Sequence, residues 1–182
     1  MTKGNKPTRS WKDVRSALNK ESSRTLLKLV SDLYALRKEN QDFLHARFLP
    51  DASNLVPYME TIACYISPAE PWKNPVKLSQ ARKAISDYRK AVGDPEGLSE
   101  LMLVYAECGV NYTLEFGDID EAYYSSVVGV FSDGLNMLEQ CEQDVVHELL
   151  PRFKGVVDST YDIGWGFYES LRDTLESYYP DA

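Results

Sequence analysis

The sequence predicts an all-α protein: a single compact domain of about seven helices arranged largely as antiparallel helical hairpins. Three observations carry this expectation. Apolar residues recur at three- and four-residue spacing through most of the 182 residues. Capping residues, glycines and prolines punctuate those runs, and no strand-like alternation bounded by hairpin turns occurs. The length suits one domain at roughly 150 residues per domain, and short connections favour antiparallel neighbours.

Ser10-Trp11-Lys12-Asp13 is a capping-box variant opening a short helix to about Lys20. A second helix follows Ser22 or Ser23 and places Leu26, Leu29, Val30, Leu33 and Leu36 on one face. It runs on, or bends, through Phe43, Leu44 and Phe48 before Pro50. Residues 54–66 form a third, with Pro57 in the first turn, where a missing amide proton is tolerated. Three prolines in the stretch Ser67–Pro75 enforce a loop. Asn74 as N-cap and Pro75 at the first helical position then open a helix with the seam Leu78, Ala81, Ile85, Tyr88 and Val92.

Gly93 stops that helix and Asp94-Pro95 starts the next, which carries Leu98, Leu101, Met102, Tyr105 and Val110 down to Phe116. Gly117 closes it. Asp118 to Glu121 reads as an acidic capping box with Asp118 as the cap. The long helix beyond keeps the stripe Val127, Phe131, Gly134, Leu138, Cys141 and Val145. Gly129 and Ser132-Asp133-Gly134 mark a bend or a close helix contact within it. Pro151 starts a seventh helix, interrupted by Gly164-Trp165-Gly166, where Trp165 is expected to plug a helix junction. Phe167, Leu171, Leu175 and Tyr178 line the last amphipathic segment.

The net charge of −8 hides a division along the chain. Residues 1–48 carry 11 Lys or Arg against 5 acids, and residues 73–90 carry six bases against Asp87 alone. From Ala91 to Pro151 there are 13 acids and no Lys or Arg in 61 residues. The expected organisation is a flexible basic tail over 1–9, then one helical domain over 10–182 that is basic in 10–48 and 73–90 and acidic in 91–151. No apolar run is long enough for a signal peptide or a membrane span. Cys64, Cys108 and Cys141 fit no zinc pattern and sit in apolar stretches, where cysteine behaves as a small core residue, so a cytoplasmic location is expected.

Four constellations bear on chemistry. Asp42-x-x-His45 and Asp144-x-x-His147 place an acid and a histidine on one side of a helix, the spacing that two-metal helical bundles use, with Glu107 and Glu115 as further ligands. The angles oppose this: at 100° per residue, His45 lies about 80° and Asp42 about 140° from the Leu44–Phe48 stripe, and His147 about 120° from the Cys141 stripe. The acids Glu115, Asp118, Asp120 and Glu121 read as a cation site or as helix capping, and they lack the ligand ladder of an EF-hand.

Arg82, Lys83, Arg89 and Lys90 form two cationic rows on one helix, which together with the N-terminal bases could track a phosphate backbone. The sequence pI of about 4.8 opposes non-specific nucleic-acid binding. No nucleophile elbow, Walker loop or dinucleotide fingerprint is present, so no catalytic residue and no cofactor is expected.

Phe116 to Ser126 and Asp162 to Leu171, with the opening Leu26 to Leu44, resemble an uncharacterised family of small all-helical bacterial proteins. The resemblance covers about residues 10–179 and implies a helical fold; it carries no activity and no site residue. The stretch Gly117 to Leu138 also looks like half a tetratricopeptide unit, but no second copy follows, and such repeats need three or more. The expectation is therefore a non-enzymatic macromolecule-binding protein whose partner is another protein or itself, without membrane insertion. Nucleic-acid association through 1–48 and 73–90 is the alternative, and a metalloprotein built on the two Asp-x-x-His pairs is the second.

Overall fold

A computed structural model describes residues 10–49 and 51–180; the basic tail expected over 1–9 lies outside them. The described residues are helical with no strand, as expected, but they form nine α-helices rather than about seven. The chain divides into two compact units between Leu44 and His45.

The first unit contains α1 (Trp11–Leu18), α2 (Ser23–Leu36) and the start of α3 (Lys38–Phe48). Ser10 donates from both N and Oγ to Asp13 Oδ2 at 2.8 Å, so the predicted cap of α1 is made. Ser22 Oγ accepts from Thr25 N at 3.1 Å and starts α2. Of the two expected readings beyond Leu36, a run-on helix or a bend, the chain changes direction, at Arg37, whose extended backbone (φ −151°, ψ 147°) separates α2 from α3. The carbonyls freed at the end of α2 are then met by side chains: Asn40 donates to Leu33 O at 2.7 Å and Gln41 to Tyr34 O at 3.1 Å.

The second unit takes the end of α3, a 3-10 turn over Ala52–Leu55, α4 (Val56–Ile66), α5 (Leu78–Ala91), α6 (Pro95–Phe116), α7 (Glu121–Leu138), α8 (Gln143–Asp158) and α9 (Phe167–Tyr178). Its axis is α6, which packs against α4, α5, α7 and α8. Leu98, Leu101, Met102, Leu103, Tyr105, Ala106, Val110 and Tyr112 are all buried, so little of this helix faces water, as befits a helix apolar on most sides. Tyr123 of α7 ties three helices by donating to Ile66 O at 3.2 Å and Gly109 O at 3.1 Å. Burial pushes its phenol well above the usual tyrosine range.

Several helix ends depart from expectation. Asn74 does not cap α5, which starts at Leu78, because Lys77 N is drawn to Tyr65 O at 2.9 Å and holds the preceding loop against α4. Asp120, not Asp118, caps α7 through Tyr123 N at 2.8 Å. The long helix expected beyond it ends at Leu138, and Cys141 falls in the turn before α8. Pro151 lies inside α8 rather than at a helix start; it is exposed, so its ring and missing donor fall on the solvent side. At Gly134 the close helix contact, one of the two expected readings, is what forms: a Cβ there would stand 3.1 Å from Met102 Cβ and Phe153 Cζ, while α7 runs through it. Asp94 caps α6 as expected, accepting from Gly97 N at 2.7 Å.

Candidate functional site

The basic helix α5 does not present four equivalent cations. Arg82 is drawn to α7, donating from Nε to Ser126 Oγ and from Nη2 to Ser126 O, both at 3.1 Å. Lys83 and Lys90 both pair with Asp87, the latter at 3.5 Å. Arg89 is exposed and lines a cleft of about 340 Å³ with Arg82, Ile85, Met102, Val130 and Asp133. Among the described residues, no ion pair joins the 73–90 band to the acidic 91–151 stretch. Two of the acids of α6 are met instead by Arg152 of α8, which donates to both Glu107 oxygens at 2.9 and 2.8 Å and to Glu100 at 3.3 Å. This fork geometry raises the guanidinium pKa, chiefly through the Glu107 hydrogen bonds.

The Asp-x-x-His pairs are not assembled. Asp42, on the first unit, pairs with Lys38 at 3.0 Å, whereas half-buried His45 begins the second. Asp144 and His147 are both exposed on α8, Glu107 is held by Arg152, and Glu115 is exposed. Among the described residues, no group of three or more His, Cys, Asp or Glu is placed to hold a metal ion. The cysteines are free thiols, and Cys64 is exposed rather than in the core. Burial, then Glu107, pushes the Cys108 thiol up, and burial, then Glu96 and Asp94, does the same at Cys141. Both are therefore protonated and weakly nucleophilic at neutral pH.

The acidic helix junction is more structured than a run of caps. Asp118 accepts from Tyr124 OH at 3.1 Å and from Trp165 Nε1 at 3.4 Å. Trp165 does not plug a junction: it is 77% exposed and holds φ +63° between Gly164 and Gly166. Bulky residues pay roughly 1–2 kcal/mol for that conformation. Trp165 borders a cleft of about 590 Å³ between α7 and α9, whose other walls include Glu121, Tyr124, Val128 and Phe167. Asp118 borders a second cleft of about 330 Å³ with Thr113, Asp158, Tyr161 and Asp162. Periodicity could not reveal either cleft, because their walls come from separate helices; the one sequence signal was a tryptophan flanked by glycines. Trp165→Gly is expected to leave unfolding stability within about 1 kcal/mol of the parent, since relief of the left-handed backbone offsets glycine's greater unfolded-state freedom. Urea unfolding checks this, and a loss above about 2 kcal/mol would show that the ring is a packing element after all.

The first unit holds the other departure. The residues expected on one face of α2 are not buried: Leu29, Val30, Leu33 and Leu36 are exposed, with Leu27 beside them, and Leu26 is only half-buried. Trp11 and Val14 of α1 are exposed too, and neither helix contains a buried residue. No helix among the described residues is long and apolar enough to cross a membrane. No protein-family model, curated protein or solved structure matches the chain.

Proposed function

We propose that the chain is a non-enzymatic protein-binding protein whose first unit docks on its partner through the apolar face of α1 and α2. The observation that supports this is the combination of strong amphipathicity with no buried residue in either helix. Helices of 8 and 14 residues are marginal in water without packing, at lengths near or below about 12–15 residues. A partner that buries Leu29, Val30, Leu33 and Leu36 supplies what the unit lacks, at roughly 1.5–3 kcal/mol for each side chain fully covered. This is the helix-in-groove mode, with anchors three and four residues apart.

The nucleic-acid alternative draws little from the geometry of α5, where Lys83 and Lys90 bracket one carboxylate and Arg82 reaches a neighbouring helix. The metal alternative is similarly unsupported by the separate settings of its four residues.

Two measurements test the reading. In the purified chain, amides of residues 11–36 are expected to exchange with solvent within seconds while those of α6 stay protected, because only α6 is packed on several sides. A photoreactive residue at Leu29 or Leu36 in living cells should yield discrete protein adducts that Leu33→Glu abolishes, and one at Lys83 should not. Slow exchange across α2 in the isolated chain, or adducts insensitive to Leu33→Glu, would remove the proposal.

A further inference from the structure

We infer that the paired clefts beside Trp165 bind an arginine- or lysine-bearing segment of a partner protein, a site separate from the α1–α2 face and independent of it. The first cleft is concave and aromatic-walled, with Trp165, Tyr124 and Phe167 around about 590 Å³ and the Glu121 carboxylate at its edge. That is the make-up of a cation pocket: an indole face attracts a guanidinium or ammonium through its quadrupole, and a neighbouring carboxylate neutralises the charge. The indole is oriented from behind, since its N–H points to Asp118. Tyr124, which donates to the same carboxylate, is buried and forms a fixed wall.

The charge setting selects the sign of the ligand. Four carboxylates line the two clefts, Glu121 in the first and Asp118, Asp158 and Asp162 in the second, and they outnumber the Arg82 guanidinium that Ser126 holds beside Gly129 of the first cleft. Such a field draws cations and repels anions. The second cleft points to a segment rather than a small molecule. Asp118 lines it, and Trp165, its hydrogen-bond partner, lines the first, so the two clefts adjoin. Its own walls repeat the chemistry with Tyr161, Asp158 and Asp162. Successive side chains on one face of an extended chain lie about 6.5–7 Å apart, so a segment carrying a cation at every second residue offers more than one cation to adjoining clefts. The indole of Trp165 is 77% exposed, so most of its surface is open to a ligand.

The test titrates the full chain with a Gly-Arg repeat peptide of nine residues at low salt, following tryptophan fluorescence and heat. Parallel titrations use a Gly-Glu repeat, free arginine and tetramethylammonium chloride. Saturable binding of the Gly-Arg peptide alone is expected, weakened about tenfold by Trp165→Gly and by Glu121→Gln. Glu148→Gln, which removes an exposed acid of the acidic 91–151 stretch outside both clefts, should leave affinity within about twofold, as exposed charges interact weakly at a distance. Glu121→Gln keeps the test decisive should Trp165→Gly perturb the fold. Absence of saturable binding overturns the inference, as does equal weakening by all three substitutions, which would mean diffuse attraction. Free arginine or tetramethylammonium binding as tightly as the peptide overturns the assignment of a segment.

Discussion

Phe153→Ala is expected to lower the unfolding free energy of the second unit by about 3–5 kcal/mol, a large share of the roughly 5–15 kcal/mol that holds a typical domain. Phe153 is fully buried on α8 and meets Phe131 of α7 edge-on, with ring centroids 5.3 Å apart. Its ring edge also fills the space left by Gly134. Removing it leaves an apolar void between two helices and α6 that backbone relaxation closes only in part. Urea unfolding followed by circular dichroism should show a lower midpoint at an unchanged slope. A loss below about 1 kcal/mol would mean that the α7–α8 contact is not the packed core described above.

Gly97→Ala is the second large effect, and its sign is diagnostic. Alanine in a helix is ordinarily favoured over glycine by up to about 1 kcal/mol. At Gly97 a Cβ would lie 2.7 Å from Tyr88 Cζ and in overlap with its hydroxyl. Tyr88 cannot step aside freely: it is buried, meets Tyr58 edge-on at 5.3 Å, and donates to Asp94 Oδ1 at 2.6 Å. Burial and the Asp94 hydrogen bond both hold its phenol protonated well above the usual range. Overpacking here is expected to cost about 2–3 kcal/mol net and to disturb the Asp94 cap of α6 as well. Tyr88→Phe removes the nearest clashing atom, so the double substitution should be less harmful than the sum of the singles by about 1 kcal/mol. A neutral or stabilising Gly97→Ala would contradict the close α5–α6 approach.

Much of the helical content was legible because local rules act locally. The Ser10 and Asp94 caps depend on hydrogen bonds within three residues, and they form as read. Of the expected seam Leu78, Ala81, Ile85, Tyr88 and Val92, the three central residues are buried, Leu78 is half-buried and Val92, past the end of α5, is exposed. Where a helix end depended on another element, local reading failed or left alternatives open. Lys77 starts α5 late because Tyr65 O lies on α4. Arg37 divides α2 from α3, and the side chains that secure the break come from the next helix.

The candidate sites show the same boundary. The charge bands at 73–90 and 91–151 are properties of the sequence, but which carboxylate each cation meets is not. Arg152 meets Glu107 across 45 positions, while Lys83 and Lys90 meet Asp87 within four. An amphipathic stripe states that a face is apolar; it cannot state whether anything covers it. The stripes of α2 and α5 look alike in sequence, yet α5 is buried along the centre of its seam and α2 is not. Trp165 likewise reads as a plug in sequence, and only the placement of α7 and α9 shows it exposed at the border of a cleft. The sequence alone determined the helical class, several caps and the segregation of charge, since periodicity, short-range hydrogen bonding and ionisation need only near neighbours. The tertiary structure decided which faces stay open, which charges pair and where clefts form, because burial and cavities arise only when distant segments are packed together.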